Sequence, residues 1–266
     1  MISLVQLLKE ATDTPKAIIL AGAPGAGKGS ILSNLDLGDI KVLNIDNIFI
    51  DKLKQANVSL DLKNATPEER SQQAKSMAAA NKEFKGDIAD VIQGKESFIL
   101  DGTAASLRNT LKLKDELEEA GYEVFMLYVY TDLERSLKQN QDRFEKSDGE
   151  DRSLAPAIVL RTWNSVTKNF QPYKNAFGDN FISVANTLED EKLDNIEDII
   201  KKYLDPFKPQ GTKPKDDKAK ARSAKAKAEL NAELQSFLSS DGAKDIIDTS
   251  VSKEEAQSKL NQFLNG

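Results

Sequence analysis

KAIILAGAPGAGKGS, Lys16 to Ser30, decides the fold. Its first six residues form a short run that is apolar almost throughout, as in a strand covered on both faces. The run breaks at Gly22, and a helical pattern resumes after Gly27. Between them the glycines let the backbone curl until several N–H groups point into one concavity, and the N-terminus of the following helix adds its partial positive charge. A concavity of that kind fits phosphate. The spacing Gly-x4-Gly-Lys then carries the Lys28 ammonium to the β- and γ-phosphates of a nucleoside triphosphate. The expected phosphate-cradling residues are Gly22, Ala23, Pro24, Gly25, Ala26, Gly27, Lys28, Gly29 and Ser30. One position departs from the general rule: Gly29 follows the lysine where a Ser or Thr is usual, and the hydroxyl arrives one place later, at Ser30.

Composition narrows the chemistry this loop can serve. The 266 residues contain no cysteine and no histidine, which removes thiol nucleophiles, imidazole bases and the familiar zinc and haem ligand sets. Carboxylates, lysine, arginine, hydroxyls and backbone amides remain, with a hard cation held by oxygen. Phosphoryl transfer asks for little more, being mostly positioning and electrostatics. The net charge is −6, yet residues 206–266 carry 11 Lys/Arg against 9 Asp/Glu. The rest of the chain is therefore the acidic part, which argues against broad nucleic-acid binding there. No apolar run approaches the ~18 residues of a membrane span. MISLVQLLKE at the N-terminus lacks a basic leader region and reads as a packing helix, so a cytoplasmic protein is expected.

From Lys16 to Leu204 strand-like and helix-like segments alternate, the pattern of a parallel sheet wound with helices. The expected strands are Ala17–Ala21, Val42–Ile45, Phe98–Leu100, Val124–Tyr130 and Phe181–Val184. A long helix from about Pro67 to Gln93 carries Met77, Phe84, Ile88 and Val91 on one face. A second closes at Gly121. Val159, Trp163, Val166, Phe170 and Tyr173 form one further stripe, with Ser153 as its N-cap and Pro156 in the first turn. Composition changes at Asp205. Residues 1–205 read as one domain, 206–217 as a linker, and 218–266 as a helical tail. Ser252-Lys253-Glu254-Glu255 has capping-box spacing, and LQSFL at 234–238 is echoed by LNQFL at 260–264. Those two segments could pair as a hairpin or engage a protein partner.

Two acids end strands at the edge where such sheets bind ligands. Asp46, in VLNIDNIF, can accept the proton of an acceptor hydroxyl as general base, or cap the helix that follows. Asp101, in SFILDGT, can serve a metal or cap the next helix.

GAPGAGKGS resembles the adenylate kinase form of the phosphate loop, GxPGxGKG[ST], and LDGT resembles the LDGFPR segment of those enzymes. That likeness implies ATP and Mg2+ as cofactors, with Asp101 and Ser30 on the metal side. The stretch from Gly102 to Arg143 is similar to the zeta-toxin pattern. Zeta toxins and polynucleotide 5′-kinases place an acid where Asp46 stands. Many such kinases carry a lid whose arginines clamp phosphate. Here Arg143 and Arg152 flank the polar loop Glu145–Asp151, and Arg135 lies on the same stretch facing the nucleotide. The fold implied is a P-loop NTPase, a three-layer α/β/α sandwich with a five-stranded parallel sheet of order 2-3-1-4-5, plus a helical C-terminal tail. The catalytic set implied is Lys28, Asp46, Arg143 and Arg152. The arginine that serves the sugar nucleotide in zeta toxins is Ala105 here, with Arg108 the nearest substitute, and the FPR of LDGFPR is missing.

The acceptor is thus expected to be a hydroxyl-bearing small molecule, a nucleotide, a sugar nucleotide or a nucleic-acid end. From another class, a nucleotide-binding scaffold or switch protein would turn over little and use residues 218–266 to hold a partner.

Overall fold

The structure, a computed structural model, describes residues 14–33, 35, 37, 40–147, 151–187, 196–204, 217–239 and 242–265. The MISLVQLLKE segment, Asp148–Glu150 of the polar loop and nearly all of the expected linker lie outside the described residues.

Five strands, β1 (Lys16–Ala21), β2 (Lys41–Asn44), β3 (Phe98–Asp101), β4 (Glu123–Thr131) and β5 (Phe181–Asn186), form one sheet of order β2-β3-β1-β4-β5. Every pairing is parallel. Period-2 alternation divides each strand between two cores. Ile19, Met126 and Tyr128 face one core with Trp163 and Tyr173, while Ile18, Leu20 and Leu127 face the other with Ile31 and Leu260. Register also does chemical work. Asn44 pairs with Asp101, so two strand ends meet side by side at the ligand edge.

After β1 comes a short helix, α1 (Lys28–Leu32). Helices α2 (Ile45–Gln55) and α3 (Pro67–Gln93) pack on each other around a separate small core of Phe49, Leu53, Val58, Leu60 and Ala80. Thr66 and Glu69 close a capping box at the start of α3, and Pro67 occupies its first turn. Next come α4 (Leu107–Glu119) and α5 (Leu133–Lys146). Gly121, at φ 86°, ends α4 as expected.

The third predicted stripe is split into α6 (Pro156–Lys168) and α7 (Phe170–Phe177). Asn169 sits at the break, and its side-chain amide donates to the carbonyls of Ala104 and Ala105 at 3.4 and 3.1 Å. The N-cap of α6 is Ala155, with no side-chain cap, so Ser153 does not play the capping role expected of it. After β5 a single α turn, α8 (Ile196–Ile199), runs into a π-helical turn, Ile200–Leu204. Lys202 there reaches the buried Glu134 of α5 at 2.5 Å.

The tail folds back on the sheet. In α9 (Asp217–Ser239), Leu234 is buried and Phe237 meets Trp163 edge-on at 5.5 Å. Ile246 of α10 (Gly242–Asp248) is buried against the same core. Val251 then pairs in parallel with Val184 at the free edge of β5, its N–H on the Ser183 carbonyl at 2.8 Å. In α11 (Lys253–Asn265), Ala256 and Leu260 are buried on the opposite face, beside Ile31 and Leu32 of α1. The two echoed segments therefore lie on opposite faces of the sheet and make no hairpin with each other.

Candidate active site

The phosphate loop is held from outside by donors to its carbonyls. Ser136 Oγ of α5 donates to Pro24 O at 2.6 Å, and Asn186 Nδ2, at the end of β5, donates to Ala26 O at 2.9 Å. Lys28 Nζ itself donates to Gly22 O and Ala23 O at 2.8 and 3.2 Å. A loop whose carbonyls are engaged this way is kept from turning them toward an anion. Two of its glycines are required by geometry. Gly25 has φ 74° and a Cβ there would sit 2.8 Å from Gln139 Cβ; Gly27 has φ 91° and a Cβ there would sit 2.5 Å from Asn186 Nδ2.

Lys28 is half-buried, its ammonium held by the Gly22 and Ala23 carbonyls. Burial pulls its pKa down to about 8, against the raising fields of Asp101 and Asp46; Arg143 adds to the lowering. Asp101 moves the other way. Burial raises it, while Lys28 and the 2.7 Å hydrogen bond from Asn44 Nδ2 oppose the rise. Lys28, Asp46, Asp101 and Arg143 thus act on one another within a single field.

Asp46 lies in the first turn of α2, and the cap of that helix is Asn44, whose Oδ1 accepts from the N–H groups of Asp46 (2.7 Å) and Asn47 (3.4 Å). Capping is thereby excluded as the duty of the Asp46 side chain. The Asp46 carboxylate pairs instead with the Arg152 guanidinium. Asp101 likewise caps nothing, because Ser106 begins α4. Arg143 forms an ion pair with Asp151, and it lines a cleft of about 320 Å3 with Gly25, Ala26, Gly27, Lys28, Gln139, Asp142 and Lys146. Arg135 is not among the residues lining that cleft, and it donates to Thr187 O at 3.0 Å, just beyond β5. A larger cavity, about 420 Å3, lies between α5 and the Lys63–Asn64 turn and includes no residue of the loop.

The donor set for a cation is made of hard oxygens. Among the described residues no group of three acidic side chains gathers to cage an ion. Mg2+ does not need one, since it keeps several waters and takes one or two protein oxygens beside the phosphates. The half-buried Asp101 carboxylate fits that requirement. Ser30 is exposed, and its hydroxyl bonds back to Gly27 O at 2.9 Å.

Several residues that shape the site were missed in the sequence: Asn44, Ser136, Asn186, Asp151 and Ser153. Asn44 had a readable signal, an Asn two places before an acid at a strand-to-helix junction. Ser136 and Asn186 had none, because their partners lie 112 and 160 residues away.

A five-stranded parallel sheet of this order, with a glycine-rich loop between β1 and α1, defines the class: a P-loop kinase-type α/β protein. The zeta toxin family profile matches residues 4–197, and the chain belongs to that family. No curated protein sequence matches the chain. Among solved structures, a chain of the AvrRxo1-ORF1:-ORF2 complex with ATP is 16% identical, with a TM-score of 0.51 over 96% of this chain and 83% of that one. A chain from the PezAT chromosomal toxin–antitoxin system of Streptococcus pneumoniae is 16% identical over 87% of this chain and 94% of that one, with a TM-score of 0.49. One from the Pnkp1/Rnl/Hen1 RNA repair complex is 18% identical over 62% and 48%, with a TM-score of 0.44. At such identities the likeness concerns the fold. Among the described residues no helix is long and apolar enough to cross a membrane.

Proposed function

We propose that the chain transfers the γ-phosphoryl group of ATP to a hydroxyl of a nucleotide or nucleotide-linked small molecule. The observation that carries this reading is Asp46, a carboxylate at the ligand edge that caps nothing and shares a field with Lys28 and Asp101. The phosphate loop and Lys28 hold the triphosphate. Asp46 takes the proton of the acceptor hydroxyl as its oxygen bonds to the γ-phosphorus, while the bond from that phosphorus to the bridging oxygen breaks and ADP leaves. Arg143 and Arg152 offset the charge that develops on the transferring group. Asp101 and the Ser30 hydroxyl would hold Mg2+, which would supply neutralisation of the negative charge of the triphosphate.

The scaffold alternative would need residues of the tail other than Leu234, Phe237, Ala256 and Leu260, which pack on the body of the protein. A partner docking on residues 218–266 would have to read their polar outer faces.

The deciding experiment offers γ-labelled ATP to pooled nucleotides, sugar nucleotides and 5′-hydroxyl oligonucleotides, and reads where the label goes. Asp46→Asn should still bind ADP and lose transfer by about 100-fold or more. Unchanged transfer by both Asp46→Asn and Lys28→Ala would sink the mechanism.

A further inference from the structure

We propose that Ser153 and Asp61 position Arg152, so that this phosphate-clamping arginine rides on the α2–α3 element and not on the sheet. The inference rests on the kinase reading above and goes on to assign two positioning residues and a route of coupling.

Ser153 is 4% exposed and begins no helix. Its three polar contacts all run to one short segment. The Ser153 N–H donates to Leu60 O at 3.1 Å, its Oγ donates to Asp61 Oδ1 at 2.7 Å, and that same Oγ accepts from the Lys63 N–H at 3.0 Å. Asp61 is braced in turn by Asn64, whose Nδ2 reaches Asp61 Oδ2 at 2.7 Å. Burial alone would raise the Asp61 carboxyl, yet the hydrogen bonds from Ser153 and Asn64 hold it below the ordinary carboxylate range. Leu60 is buried in the small α2–α3 core with Phe49 and Leu53. The segment that grips Ser153 is thus fixed to that core.

Arg152 is the preceding residue. Its guanidinium reaches Asp46, on the first turn of α2. The partners of Arg152 and of Ser153 therefore belong to one helical element, the one that lies between β2 and β3. On the other side the Arg152 N–H donates to Asp151 Oδ1 at 2.7 Å, and Asp151 also holds Arg143. A displacement of α2–α3, such as an acceptor bound there would produce, would pull on Arg152 through Asp46 and Ser153. Charge-assisted contacts to phosphate lose strength steeply with misplacement. Presence of the acceptor and grip on the γ-phosphate are linked through this clamp.

The test compares affinities of the full chain for MgADP and for a non-hydrolysable imido analogue of MgATP, by calorimetry. Arg152→Ala should lower the preference for the analogue over ADP. Ser153→Ala and Asp61→Ala should each lower that preference by about fivefold, with ADP affinity unchanged. The double variant should lose no more than either single one, since the pair acts as a unit. If Arg152→Ala lowers the preference and both clamp variants keep it at the wild-type value, the clamp is overturned and the kinase reading stands. If Arg152→Ala itself leaves the preference unchanged, the assignment of Arg152 to the γ-phosphate fails, and the clamp with it. Should Ser153→Ala not fold, Asp61→Ala, at a less buried position, decides the matter alone.

Discussion

Lys28 illustrates the cost of building a phosphate site inside a protein. With its pKa brought down to about 8 by burial, the ammonium is the form that would hold phosphate in the proposed reaction, and bound phosphate would raise its pKa again. ATP binding near pH 8.5 should therefore take up a proton, and affinity should fall as pH rises through about 8. Calorimetry in buffers of different ionisation enthalpy would detect the uptake, and Lys28→Met should abolish it. The same group sets a stability difference. Below about pH 8 the folded protein bears the cost of a buried charge; between there and the unfolded value of 10.5 it sheds the proton and stability recovers. Lys28→Met should thus unfold later than the wild type at pH 7, by at most about 3 kcal/mol, and the gap should close toward pH 10.5. Gly27→Ala has the opposite character: a forced φ of 91° and a 2.5 Å approach to Asn186 should cost about tenfold or more in ATP affinity. Lys28 and the glycines were legible in the sequence because their meaning lies in local spacing. The capping role of Asn44 was legible in the same way, but its bond to Asp101 and that of Ser153 to Asp61 were not, because Asn and Ser serve many local turns and these contacts span 57 and 92 residues.

At the scale of elements, periodicity found the pieces and missed their joints. Pro67–Gln93 matches its expected span because an N-terminal box and a proline mark its start. The stripe from Val159 to Tyr173 keeps helical phase across the break at Asn169, so nothing in the apolar pattern announces two helices. Tyr173, beyond the break, donates its hydroxyl to Ala104 O at 2.6 Å, and Ala104 has a φ of 50°. Tyr173→Phe should destabilise the fold by about 0.5–1.5 kcal/mol, the loss of one hydrogen bond at a carbonyl that Asn169 still reaches, as read by urea denaturation. If Asp101–Ser106 is shaped by that contact, phosphotransfer should fall as well. Leu260→Ala in α11 should cost about 2–5 kcal/mol as a buried truncation. It should also weaken ATP binding, because α11 supports α1 directly: Gln257 Nε2 donates to Ile31 O at 3.0 Å.

For the whole molecule, the strand order was an expectation from family resemblance and is the order observed. The docking of the tail had no signature, since an amphipathic helix shows that it buries a face without naming the surface it buries it on. Trp163 is the sole tryptophan and is covered by Phe237, so cutting the chain after residue 205 should red-shift its fluorescence and lower the melting temperature. The contact between Gln257 and Ile31 also bears on how the protein is made. It joins residues 226 apart in sequence, a separation that takes about 10–45 s to synthesise at ~5–20 residues per second. Through that interval the nascent chain carries its phosphate loop without the helix that steadies it. A ribosome-bound chain lacking α11 should accordingly bind ATP weakly, and ATP binding should strengthen once α11 has emerged and packed on α1.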